Sequence, residues 1–171
     1  MKKLFINKIK VRLSAVSTLS FIFLHVVFGV IGFILTKKAP SDVMYVEDSV
    51  FLYFTNNFLY CMVLVVGVVT AGLLTTFLIA SNAYLLGVTM KGALLLGHDI
   101  GYILYHILHG VIELPAIYFF FKIGIYPVGL FLKYLVFDHR FDFWRDIYTV
   151  IRYFIYGTAL LLLAAVVEYL L

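Results

Sequence analysis

The stretch LSAVSTLSFIFLHVVFGVIGFILT, from Leu13 to Thr36, contains no Asp, Glu, Lys or Arg and is bounded by MKKLFINKIKVR before it and Lys37-Lys38 after it. A run of this length exceeds the ~20 residues that a helix needs to cross the hydrocarbon of a bilayer. The basic start resembles the n-region of a signal peptide. The apolar run is too long for one, however, and ends in lysines without an A-x-A site, so it reads as an uncleaved first span, 13–35.

The rest of the chain agrees. Hydrophobic residues make up 64% of it and charged residues 13%, and its mean hydropathy is +1.08. Soluble domains carry about twice that share of charge. The chain therefore reads as all-α, a polytopic transmembrane helical bundle forming a single integral membrane domain over residues 1–171, with no room for a soluble domain beside it. The net charge of +4 sits at the ends of apolar runs, where it orients helices. It does not imply nucleic-acid binding. The single cysteine, Cys61, lies in an apolar run and reads as a packing residue.

About five spans are expected, at 13–35, 58–80, 102–121, 128–137 and 153–171. Asn56 and Asn57 are expected to cap the second. Gly67, Ala71 and Thr75, at steps of four within it, are expected to form a small-residue face for helix contact. Segment 81–101, interrupted by Asn82, Gly87, Gly92 and Gly97, reads as broken or re-entrant, with a full span as its rival and with Asn82 and Gly87 closing a helix end. Asp138–Arg152 reads as an interfacial amphipathic helix with Trp144 and Tyr148 at headgroup level. Lys2, Lys3, Lys8, Lys10 and Arg12 place the N-terminus in the cytoplasm of a multi-pass cell-membrane protein. Five spans then put Lys91, Arg140, Arg145 and Arg152 inside and leave Lys122 outside as an exception. His25 reads as an interior packing residue, and Glu168 and Tyr169 as solvated at an interface.

The segment HILHGVIELPAI, from His106 to Ile117, concentrates ionisable groups among apolar ones. On one continuous helix, Asp99, Tyr102, His106, His109 and Glu113 fall on a single stripe. Gly110 thins that face, and Pro115 frees a backbone carbonyl and can kink the helix. A carboxylate deep in a bilayer costs ~2.5 kcal/mol or more, so Glu113 must face the interior, lose its charge or pair. Three readings stay open: a structural His109–Glu113 pair, a proton or metal site, and a headgroup site for lipid or peptide. A metal would need a fourth ligand, with His98 or Asp99 as candidates. No H-E-x-x-H, G-x-S-x-G, C-x-x-C or G-x4-G-K-S/T pattern is present, so no catalytic residue, cofactor or ATP-driven step is expected.

In order, NNFLYCMVLVVGVVTAG, SNAYLLG, HGVIELPA and GIYPVG resemble the stage II sporulation protein M family over roughly Asn56–Gly129. The matching motif positions are Asn57, Gly67, Asn82 and Gly87 upstream, then His109, Gly110, Glu113 and Pro115. The chain departs from the pattern at Leu108, where the family often has Pro, and at Ala83, where it often has Gly. The resemblance implies an all-helical membrane protein without established catalysis. Sporulation members act in the engulfment complex with the D and P proteins of stage II, which remodel peptidoglycan. Other relatives accompany circular bacteriocin genes and a separate ATPase partner. The expectation is a non-enzymatic subunit surrounded by membrane lipid and partner membrane proteins, and a homo-oligomer is compatible with it. The chain's small size points to bacteriocin-type peptide maturation, export or immunity. The engulfment scaffold and a proton- or metal-coupled transporter are the alternatives.

Overall fold

The computed structural model describes residues 2–38, 49–107, 110–137 and 142–170. Every regular element among them is helical: α1 (Lys2–Leu35), α2 (Val50–Val66) followed by a 3-10 turn (Gly67–Thr70), α3 (Leu73–Leu95), α4 (Ile100–Ile107), α5 (Gly110–Gly124), α6 (Tyr126–Phe137) and α7 (Phe143–Leu170). Ser14–Leu35, Val50–Thr70, Leu73–Leu95 and Phe143–Leu170 are long and apolar enough to cross a membrane. α5 with the start of α6, a pair bent by 51° at their junction, makes a fifth when the two are taken as one broken span.

The packing fixes the direction of each pass. Gly29 meets Ala83 while Phe33 meets Gly87, so α1 and α3 run parallel. The Tyr60 hydroxyl donates to the Leu78 carbonyl and that of Thr75 to the Leu64 carbonyl, so α2 runs antiparallel to α3. Lys122 reaches Ser14, and Tyr118 hydrogen-bonds Thr18, so α5 returns against α1. Phe120 packs on Gly157, Lys122 sits over Tyr153, and Tyr126 just beyond α5 bonds Asp146, so α7 runs against α5. The five passes alternate, and α1 begins at the opposite end of the bundle from where α7 finishes. The expected all-helical membrane bundle holds, with four to five crossing segments whose boundaries differ from those expected.

The largest difference lies at 58–80. No single helix covers it: the chain reverses at Ala71 (φ 49) and Gly72 (φ 83), both left-handed. A non-glycine residue seldom adopts that conformation, and here Ala71 N–H donates to Val68 O while Gly72 N–H donates to Gly67 O. Because the reversal comes early, 81–101 is not the broken segment. Asn82 and Gly87 lie inside α3, which ends only at Leu95 before Gly97 (φ 85). The bent element is the α5–α6 junction instead. Nor do Asn56 and Asn57 cap α2. Ser49 does so, its hydroxyl accepting from Leu52 N–H, and both asparagines sit two turns inside. The interfacial segment is no separate helix: from Phe143 onward it is the first turns of α7, with Trp144 and Tyr148 exposed, and residues 138–141 lie outside the described ones.

The core is formed by Cys61 and Leu64 of α2, Ile79 of α3, Ile117, Phe120 and Phe121 of α5, and Leu161 of α7, joined by Phe21 of α1. Cys61 is fully buried, as expected. α1 packs mainly on α3, α5 mainly on α7, and α2 lies against both α5 and α7. His25 is half-buried against the Phe21 ring, with Nδ1 bonded to the Phe21 carbonyl, in keeping with a packing role. Glu168 is half-buried rather than solvated, while Tyr169 is exposed.

Candidate functional site

The predicted polar cluster is only partly covered by the described residues. α4 ends at Ile107 and α5 starts at Gly110, and Leu108 and His109 lie outside the described residues. Asp99 precedes α4, its carbonyl accepting from Ile103 N–H. His106 falls in α4. α5 is described from Gly110, and Glu113 lies within it. Glu113 is half-buried and lies within electrostatic reach of Tyr60 and Cys61 on α2. This proximity to a neighbouring helix is a relationship that spacing along one chain segment does not encode. Pro115 lies inside α5 and is exposed. Among the described residues, no three His, Cys, Asp or Glu side chains gather as a metal ion requires.

The glycines among the motif positions act through close approach. A Cβ on Gly67 would stand 1.8 Å from Thr75 Oγ1. Gly67 and Thr75 therefore do meet, across the reversal rather than along one helix face. The same hydroxyl would obstruct a Cβ on Gly124 at 2.1 Å, and Gly72 packs against Ile125. The α2–α3 reversal and the α5–α6 bend are thus fitted into each other, with buried Thr75 between them donating to the Leu64 carbonyl at 2.9 Å. Gly87 serves a second contact, with its α-carbon against the Gly29 carbonyl. Asn57 and Asn82 are half-buried within α2 and α3.

At the end of the bundle where α1 begins, an open cleft of about 1120 Å³ lies between α1, the start of α3, the α5–α6 bend and the start of α7. Its polar part holds Ser14, Ser17, Lys122, Arg145 and Asp146. Lys122 Nζ donates to Ser14 Oγ at 3.2 Å and sits over the Tyr118 and Tyr153 rings at 4.7 and 5.3 Å. Among the described residues no carboxylate pairs with it. Asp146 is buried and accepts from the Tyr126 hydroxyl at 2.7 Å.

A family model described as "Stage II sporulation protein M" matches residues 14–170. The chain belongs to the stage II sporulation protein M family. No curated protein and no solved structure matches it. The match takes in every crossing helix of this family member, both bends and the whole cleft.

Sequence reasoning missed the cleft because its residues are scattered over five helices. Only one signal marked it, the lysine at 122 that the expected topology stranded on the outer side. In the structure Lys122 stands beside Ser14, at the end where α1 begins, together with Arg145. Lys91, expected inside, lies instead toward the far end, over Phe33. The two lysines exchange sides because the chain reverses at Ala71–Gly72 and makes a full pass through α3.

Proposed function

We propose that this non-enzymatic, multi-pass membrane protein is a scaffold of the engulfment type, holding partner membrane proteins that remodel peptidoglycan. The family match over 14–170 is the observation that carries this reading, since engulfment is where the sporulation members act. It favours the scaffold over the bacteriocin-type assignment with its ATPase, for which no specific observation speaks. The transporter alternative leaned on the polar stripe, of which His109 lies outside the described residues. The N-terminus is assigned to the cytoplasm. Lys122 and Arg145 at the end where α1 begins support this, because positive residues concentrate on that side.

The test is in-cell crosslinking followed by purification of the tagged protein, with a chromosomal deletion in parallel. Peptidoglycan-remodelling membrane proteins in the purified complex and arrested engulfment in the deletion strain are expected. Capture of an ATPase and a peptide precursor, with engulfment intact, would overturn the scaffold reading and restore export or immunity. Reporter fusions at the two termini test orientation, with cytoplasmic signal expected at the N-terminus and extracytoplasmic signal at Leu171.

A further inference from the structure

The cleft beside Lys122 combines two linings in one opening. Ser14, Ser17, Lys122 and Arg145 are polar, while Phe23, Leu24, Val128 and Leu132 are apolar. Along α1 it extends from Ser14 to Leu24, ~15 Å at helical rise, which is half the ~30 Å hydrocarbon thickness of a bilayer and so about one leaflet. Its volume of about 1120 Å³ stands at the upper edge of the range for small-molecule sites, enough for a headgroup, a glycerol and the first part of an acyl chain.

The charges narrow the choice. Lys122 and Arg145 stand against one lining carboxylate, Asp146, which is engaged by Tyr126. With Asp142 beside Arg145, Lys122 is the cleft's positive charge that no carboxylate pairs among the described residues, and it matches the single negative charge of a phosphodiester. Arg145 Nε is also 4.0 Å from Asp142, a solvent-exposed pairing of the kind that contributes little. Lys122 is held in place by two tyrosine rings and a serine hydroxyl, contacts that leave its charge uncompensated among the described residues. An ammonium group on the ligand would find two carboxylates already engaged, Asp146 by Tyr126 and Asp142 by Arg145, so a zwitterionic lipid gains little that an anionic one lacks.

We propose that this cleft binds an anionic glycerophospholipid from the leaflet in which α1 begins, with its phosphodiester at Lys122 and Arg145 and an acyl chain along Phe23, Leu24 and Leu132. The site is independent of the partner proteins invoked above.

Native mass spectrometry of the detergent-purified protein tests it, using phosphatidylglycerol, phosphatidylethanolamine of matched acyl chains, and inorganic phosphate alone. The wild type should retain phosphatidylglycerol about tenfold better than phosphatidylethanolamine, the effect of one charge-assisted contact. Lys122→Met should bring the two lipids near parity, and Lys122→Arg should keep the preference. Leu132→Trp lies away from the buried core and should lower retention of phosphatidylglycerol by obstructing the acyl side, which keeps the test decisive if Lys122→Met fails to fold. Equal retention of both lipids by the wild type would overturn the proposal. So would an unchanged preference in folded Lys122→Met, wild-type retention by Leu132→Trp, occupancy by inorganic phosphate at matched concentration, or a lipid-free dimer closing the cleft.

Discussion

Two helix pairs dominate the bundle, and they are joined by opposite means. α1 and α3 meet backbone to backbone. A Cβ on Gly32 would stand 2.1 Å from the Tyr84 carbonyl oxygen, and one on Gly87 2.0 Å from that of Gly29. α5 and α7 meet through rings: Phe120 lies on Gly157, edge-on to Phe154, and Phe119 packs on Tyr153 and Tyr156. Lipid tails are as apolar as leucine, so burial alone does not drive helices together in a bilayer. Association needs close dispersion contact, and the molecule achieves it once by removing side chains and once by interlocking large ones. The first solution leaves nothing that can move aside. The second leaves a ring whose size can be changed.

The contrast predicts an order of sensitivities. Gly87→Ala should be the most damaging, at about 3 kcal/mol, the upper range for overpacking, because backbone of α1 blocks the new methyl. Thermal denaturation in detergent should show it, and no single side-chain change on α1 should restore the loss. Gly157→Ala comes next, at about 1–2 kcal/mol. Here Phe120→Leu in the same chain should recover part of the stability, since the obstruction is a side chain. If Gly157→Ala cannot be rescued while Gly87→Ala can, the comparison is reversed. Thr75→Val should cost about 1 kcal/mol, the net worth of the hydrogen bond to Leu64 O, with the α2–α3 reversal rather than either pair losing protection from amide exchange. Gly129→Ala should lie within about 0.5 kcal/mol of wild type, because a Cβ there meets nothing within 4 Å. A large loss at Gly129 would mean that α6 is covered by something outside this chain.

The same glycines explain what could be read from the sequence. The helical class followed from long apolar runs such as Leu13–Thr36, which have one physical outcome in lipid. The place where α2 gives way to α3 did not follow. Its sequence, GVVTAG, is as apolar as the helices it separates, and a reversal made of Val, Thr and Ala carries none of the polar residues that mark loops in water. Conversely, Asn82 and Gly87 look like punctuation and are not. Glycine in a membrane helix serves contact as readily as it ends the helix, and only the facing helix decides which. The segment from His106 to Pro115 shows the same limit. Its residues and their spacing are plain, but Glu113 lies near Tyr60 and Cys61 on α2, far away in sequence. The cleft was least legible of all, being the product of five helices and a change of topology.

The position of α2 also bears on the order in which the molecule comes together. Its buried residues, Cys61 and Leu64, belong to the core shared with α5 and α7, yet it emerges before either during synthesis. α1 and α3 can join as soon as both are made. α2, tethered between them, must wait with its inner face against lipid or a chaperone until the carboxy-terminal half arrives. The middle pass of a chain cut short after α3 would therefore keep its hydrogen bonds to α3 but lack the core contacts that α5 and α7 bring.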